Sequence, residues 1–203
     1  MSENRKMTAR DTALEVLMQV ERANAWSDGS LKRTIAKNGL EGREAALATR
    51  LAYGVIQNRT LLDYYISCYC VQKAHKLEPV IRNILRCAVY QIKYMDQVPD
   101  SAACNEAVNL AIRKGFKNLR GFVNGVLRNI ARNIDKIAYP ENTEEFLSIK
   151  YSMPQWIIDA WEEQFGGETT KQILEELLEE KKTCIRVNTG NISVEELTKN
   201  LRA

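Results

Sequence analysis

Apolar residues recur every three or four positions along most of this chain, and only four prolines interrupt it. Such a pattern commits the sequence to helices packed on helices. From Thr8 to about Ala25, Leu14, Leu17, Met18 and Val20 share one face, with Arg10, Glu15 and Arg22 elsewhere. Asp28 and Ser30 open a short helix carrying Leu31 and Ile35, which Gly39 ends. A longer helix is expected from Glu41, carrying Leu47, Leu51, Val55, Leu62 and Ile66. Its internal Gly54 costs roughly 1 kcal/mol relative to alanine, so close packing is expected there. Pro79 suits the first turn of a helix running through Ile81, Ile84, Leu85, Ala88 and Ile92. Pro99 stops it or the loop that follows. Asp100-Ser101 can cap the next helix, which runs to Gly115, and a last helix spans about Asn118 to Asn133.

Asp135–Asn142, with Pro140, reads as a linker. Beyond it come short helices over Glu144–Tyr151 and Pro154–Phe165, the second ended by Gly166-Gly167. Thr169 to Gln172 has capping-box spacing and begins an acidic helix to about Lys182. Thr183–Asn188 is the one strand expected, because Ile185 and Val187 alternate with polar neighbours. Ser193 to Glu196 is a second capping box. One strand and one terminal helix cannot build a sheet, so the chain is expected to stop inside a second domain.

The net charge of +3 hides a division. Residues 1–134 hold 21 Lys and Arg against 12 Asp and Glu, a net of +9, whereas residues 135–203 hold 8 against 14, a net of −6. The basic body is therefore the part suited to a polyanion. Neither a signal peptide nor an apolar run long enough for a bilayer is visible, which places the chain in the cytoplasm. The five cysteines (Cys68, Cys70, Cys87, Cys104, Cys184) are an odd number at irregular spacing, and His75 is the single histidine. Free thiols in a reducing compartment are expected, and no metal site.

The stretch from Arg113 to Arg132 holds six basic residues and no acidic one. Arg113, Lys114, Lys117 and Arg120 cluster about a turn and a helix start, where backbone N–H groups add positive potential. Arg128 and Asn124 follow on the helix. Arg10 extends the patch if the first helix packs beside it, with Arg5 and Lys6 on the tail. These residues are the candidate phosphate contacts; a solvated cationic face is the alternative. Gly121 and Gly125 suit close packing, and Glu106 reads as a structural acid. The acidic run from Glu175 to Glu180 reads as a solvated face. No glycine-rich nucleotide loop and no nucleophile–base pair is present, so no catalytic residue and no cofactor-binding residue is assigned.

Leu85-Arg86-Cys87-Ala88-Val89-Tyr90-Gln91-Ile92, followed by Ala102-Ala103-Cys104-Asn105-Glu106-Ala107-Val108, resembles the NusB-like domain of the Sun/Fmu rRNA cytosine-C5 methyltransferases. Leu51-Ala52-Tyr53-Gly54-Val55 with Leu62-Asp63, and Phe122-Val123-Asn124-Gly125-Val126-Leu127-Arg128, are similar to that domain's third and closing helices. Met153-Pro154-Gln155-Trp156-Ile157 and Ile185-Arg186-Val187-Asn188-Thr189 resemble the segment leading into the catalytic part.

The resemblance implies an all-α, NusB-like RNA-binding bundle over 1–134, a linker over 135–142, and the truncated start of an intermediate domain over 143–203. It implies ribosomal RNA as partner, a catalytic domain in cis using S-adenosylmethionine, and possible homodimers. The family's catalytic cysteine motifs and methyl-donor loop lie beyond Ala203, so no cysteine here inherits a catalytic role and this chain alone is expected to be inactive. A free-standing antitermination factor of the NusB type and a protein-interaction module are the rival readings.

Overall fold

The computed structural model describes residues 7–23, 27–140, 145–179 and 184–202. Its first seven helices form one bundle: α1 (Ala9–Ala23), α2 (Ser27–Lys37), α3 (Gly42–Gln57), α4 (Arg59–Cys68), α5 (Pro79–Tyr94), α6 (Asp100–Arg113) and α7 (Arg120–Asn133). Arg5 and Lys6 lie outside the described residues. α5 is the central rod, packed against α1, α3, α4, α6 and α7. Every residue from Ile81 to Gln91 is consequently buried.

A helix buried all round must satisfy its polar side chains internally. Arg86 donates from Nε and Nη2 to the two carboxylate oxygens of Asp63 at 2.7 and 2.6 Å, and from Nη1 to Asn83 at 3.0 Å. Arg82 and Asn83 both donate to the carboxylate of Glu21, Asn83 at 2.6 Å. Burial pushes the Glu21 carboxyl up, but bonds from Asn83 and Arg82 and the charge of Arg86 outweigh it and hold the group below its ordinary range. One polar seam thus ties α1, α4 and α5 together.

Gly54 shows why the centre admits no larger residue. A Cβ on it would come within 2.0 Å of the ring of Tyr90, so α3 and α5 approach as closely as a bare backbone allows. Gly54→Ala is expected to destabilise the bundle by about 1–3 kcal/mol through overpacking. Chemical denaturation checks this, and an unchanged midpoint would show that Tyr90 has room to swing away.

The sequence expectations need correction at five places. Gly121 and Gly125, expected to suit close packing, have nothing within 4 Å of where a Cβ would sit. The single long helix from Glu41 is two helices broken at Asn58, whose side-chain amide and backbone N–H both donate to the Gly54 carbonyl, at 2.9 and 3.0 Å. A local bond of this sort competes with continuing the helix. α6 starts at Asp100 with Pro99 in the cap position, so Asp100-Ser101 lies in the first turn and provides no side-chain cap. α10 starts at Gly167, ahead of the capping box expected at Thr169. Of the strand expected over 183–188, residue 183 lies outside the described residues, and 184–188 form neither strand nor helix. Without a second strand its backbone groups have no ladder to join, and Ile185 is exposed. The described residues contain no strand, and the fold they form is all-α, a helical bundle followed by short helices.

Residues 135–140 of the segment read as a linker lie against the bundle. Tyr64 Oη donates to the Ala138 carbonyl at 2.6 Å, the hydroxyls of Tyr65 and Tyr139 stand 3.0 Å apart, and Lys93 pairs with Asp135 at 3.1 Å. Then come α8 (Phe146–Tyr151), α9 (Gln155–Phe165), α10 (Gly167–Leu178) and α11 (Val194–Arg202). α8 docks on α4, where the Thr60 N–H donates to Ser152 Oγ at 2.9 Å. Tyr151, Ile158 and Leu174 form a small separate core among α8, α9 and α10. The acidic residues Glu175, Glu176 and Glu179 of this part are exposed, as the sequence suggests. Among the described residues, no helix is long and apolar enough to cross a membrane.

Candidate nucleic-acid interface

Gly115, at φ +91°, turns the chain from α6 into a short 3-10 turn over Lys117–Leu119, which feeds α7 directly. This corner distributes the basic residues into two groups with different surroundings.

Arg113, half-buried at the end of α6, and the exposed Lys114 that follows it both reach α1. Both pair with the nearly buried Asp11, at 3.2 and 3.4 Å, and Thr8 Oγ1 donates to the same carboxylate at 2.7 Å. Burial pushes the Asp11 carboxyl up; the Thr8 hydroxyl, Arg113 and Lys114 together override it and leave it below the usual carboxylate range. Arg10, the next residue on α1, turns toward α5 and donates from Nε to Gln91 Oε1 at 2.9 Å. The first helix does pack beside the cationic corner, but these three cations also hold the bundle together.

The Asp11 cluster carries a pH dependence. A carboxyl lowered in the native state contributes stability that is complete above its unfolded pKa and is lost as pH falls through the native one. Asp11→Asn is expected to lower the melting temperature at neutral pH and to flatten the acid-side decline below about pH 4. Thermal melts across that range check it; an acid limb identical to that of the parent chain would remove Asp11 from the account.

The second group faces outward, with Lys117, Arg120 and Arg128 exposed and Asn124 half-buried. Lys117 stands on the 3-10 turn, and Arg120, Asn124 and Arg128 follow one another at four-residue intervals along α7. Arg128 Nε donates to Asn124 Oδ1 at 3.0 Å. Among the described residues no carboxylate forms an ion pair with Lys117, Arg120 or Arg128. This is the geometry suited to phosphates: cations on one helix face, without an internal counterion to displace. Asn105 and Asn109 of α6 line a shallow groove together with Arg120, Asn124 and Arg128 of α7, and the sequence reading did not assign them. Their four-residue spacing on α6 was the signal available; their placement opposite α7 was not.

Burial raises the thiols of Cys68, Cys70 and Cys87, that of Cys87 to about 12, and burial with Asp100 nearby raises Cys104, so none of the four is held as a thiolate. His75 is exposed, and its carbonyl accepts a bond from Arg82. No group of three or more metal-ligating side chains occurs among the described residues.

Residues 7–132, spanning all seven bundle helices, match the NusB family. The chain belongs to the NusB family. Residues 153–203 match the ferredoxin-like domain of RsmF/B-like methyltransferases, so the NusB domain is followed here by a second module. A probable ribosomal RNA small subunit methyltransferase B of Bacillus subtilis is 34% identical over 200 residues, 98% of this chain and 44% of that protein. Its counterpart in Synechocystis is 30% identical over 96% of this chain and 44% of its own length. The chain therefore spans less than half the length of these relatives. The transcription antitermination protein NusB of Bacillus velezensis is 36% identical over 64% of this chain and 98% of its own length. Among solved structures, antitermination factors NusB and NusE in complex with dsRNA match with a TM-score of 0.56 at 22% identity, over 61% of this chain and 93% of that one. PH0851 matches over 98% of this chain and 45% of its own, with a TM-score of 0.63 at 21% identity. These structural likenesses establish the NusB fold and nothing further.

Proposed function

We propose that this NusB-family chain is the RNA-docking part of a 16S rRNA cytosine-C5 methyltransferase, working in the cytoplasm. The observation that carries this reading is the exposed cation row of Lys117, Arg120 and Arg128, free of internal ion pairs among the described residues. Arg113, Lys114 and Arg10 add positive potential behind it while anchoring α1 and α6. Phosphate contacts of this kind position an RNA without reading its sequence. The match of residues 1–203 to methyltransferases over nearly their whole extent favours this reading over a free-standing antitermination factor, which has no use for the module at 153–203.

The catalytic domain acts in cis, and S-adenosylmethionine is its cofactor. The residues described here do not fit that cofactor: Gly166 turns α9 into α10, and neither it nor Gly190 opens a phosphate- or nucleotide-type loop. Methyl transfer is therefore assigned to the catalytic domain, and this module presents the RNA.

Fluorescence anisotropy with a small-subunit rRNA hairpin and an unrelated duplex, across a salt series, tests the reading. Binding is expected to be tighter for the hairpin and to weaken steeply with salt. Absence of binding at low salt would leave the row a solvated face and favour a protein-interaction module.

A further inference from the structure

α8 belongs to two cores at once, and we propose that it is a two-sided clamp making the bundle and the second module one cooperative unit at a fixed orientation. Ile149 is buried in the main core among residues of the bundle. Tyr151 and Leu147 instead pack with Ile158, Trp161 and Leu174 of α9 and α10. Six residues make fewer than two turns, well short of the about 12–15 that an isolated helix needs to persist in water. A helix so short is ordered only where packing orders it. Loosening it on one side therefore weakens its hold on the other.

The polar contacts point the same way. Ser152, just past α8, sits at φ +51°, a conformation that a serine adopts only at a cost. Its Oγ accepts a bond from the Thr60 N–H at 2.9 Å. Thr60 lies in the first turn of α4, where backbone N–H groups have no partner within the helix, and Asn58 before it supplies no side-chain cap. The second module thus caps a helix of the bundle. Tyr139 adds an aromatic bridge: its ring stacks on Tyr64 of α4 at 6.5 Å and meets Phe146 of α8 edge-on at 6.3 Å. On the other side, Tyr151 Oη donates to Glu175 of α10 at 3.1 Å.

A polyanion lying along α7 would consequently be held at one bearing to α9 and α10, because residues 135–140 and α8 are both anchored on the bundle. The clamp holds whether or not the bundle docks RNA, since none of its residues belongs to the cation row.

The test reads the two parts separately in the whole chain. Trp156 and Trp161 both stand on α9, so in a Trp26→Phe background tryptophan fluorescence follows the second module, while far-UV ellipticity is dominated by the bundle. Leu127→Ala opens a cavity in the bundle core and is expected to lower both midpoints together, by roughly 10 °C. Ile149→Ala with Ser152→Gly removes the bundle side of the clamp and leaves Tyr151 in place. In that background, Leu127→Ala is expected to move the fluorescence midpoint less than about a third as far as the ellipticity midpoint. Ser152→Gly alone relieves the strained backbone, so a purely local role predicts a raised midpoint; loss of the α4 cap instead lowers it by roughly 2–4 °C. A fluorescence midpoint that ignores Leu127→Ala when the clamp is intact, or follows it fully when the clamp is removed, would overturn the proposal. Should Leu127→Ala unfold the chain outright, Ile130→Val makes a milder cavity in the same core and is read in the same way.

Discussion

Replacing Lys117, Arg120 and Arg128 together with glutamate is expected to lower affinity for an rRNA hairpin by roughly 100-fold at 0.1 M salt, with the melting temperature nearly unchanged. Each phosphate contact contributes close to one unit to the slope of log affinity against log salt, somewhat less on single strands, so losing three removes roughly 2–3 units. The fold should not notice, because all three side chains are exposed and none is in an ion pair among the described residues. Arg113→Glu provides the contrast. It would face Asp11 with a second carboxylate across a 3.2 Å contact, so it is expected to lower the melting temperature before any effect on RNA can be read. A salt slope unchanged in the triple variant would take the interface off α7.

The largest loss of stability is expected from Arg86→Ala. This guanidinium is nearly buried, holds both oxygens of Asp63 and touches Asn83, and stands 3.6 Å from Glu21. Its removal leaves one carboxylate without its bidentate partner and deprives a second of a nearby cation, at a cost of about 3–5 kcal/mol. Denaturant midpoints check the figure. Arg86→Lys keeps the charge but not the fork, and is expected to recover part of the loss. A cost below about 1 kcal/mol for Arg86→Ala would mean that water reaches the seam and screens it.

The contrast between Arg86 and Arg128 explains how much of this protein was legible in its residues. Both are arginines on helices with apolar neighbours. Composition and spacing cannot tell which of them finds a carboxylate across the bundle, because Asp63 lies 23 positions from Arg86 and on another helix. Arg113 and Lys114 show the same thing: they read as surface cations, yet they meet Asp11 from a helix about a hundred residues earlier. Asn105 and Asn109 were unremarkable polar positions until α7 was placed opposite them.

Local physics determined the rest. Three-to-four-residue apolar periodicity specified helices and their inward faces, Pro79 and the glycines Gly39 and Gly115 marked ends, and the glycine at position 54 announced a close approach that Tyr90 then occupied. These properties act within a few turns of one chain, so the sequence alone decides them. Which cations remain free for a polyanion, where Asn58 breaks a helix that periodicity would continue, and whether Ile185 finds a strand partner depend on what other segments bring alongside. Only the tertiary structure decides those, because each is a contest between a local preference and a partner distant in sequence.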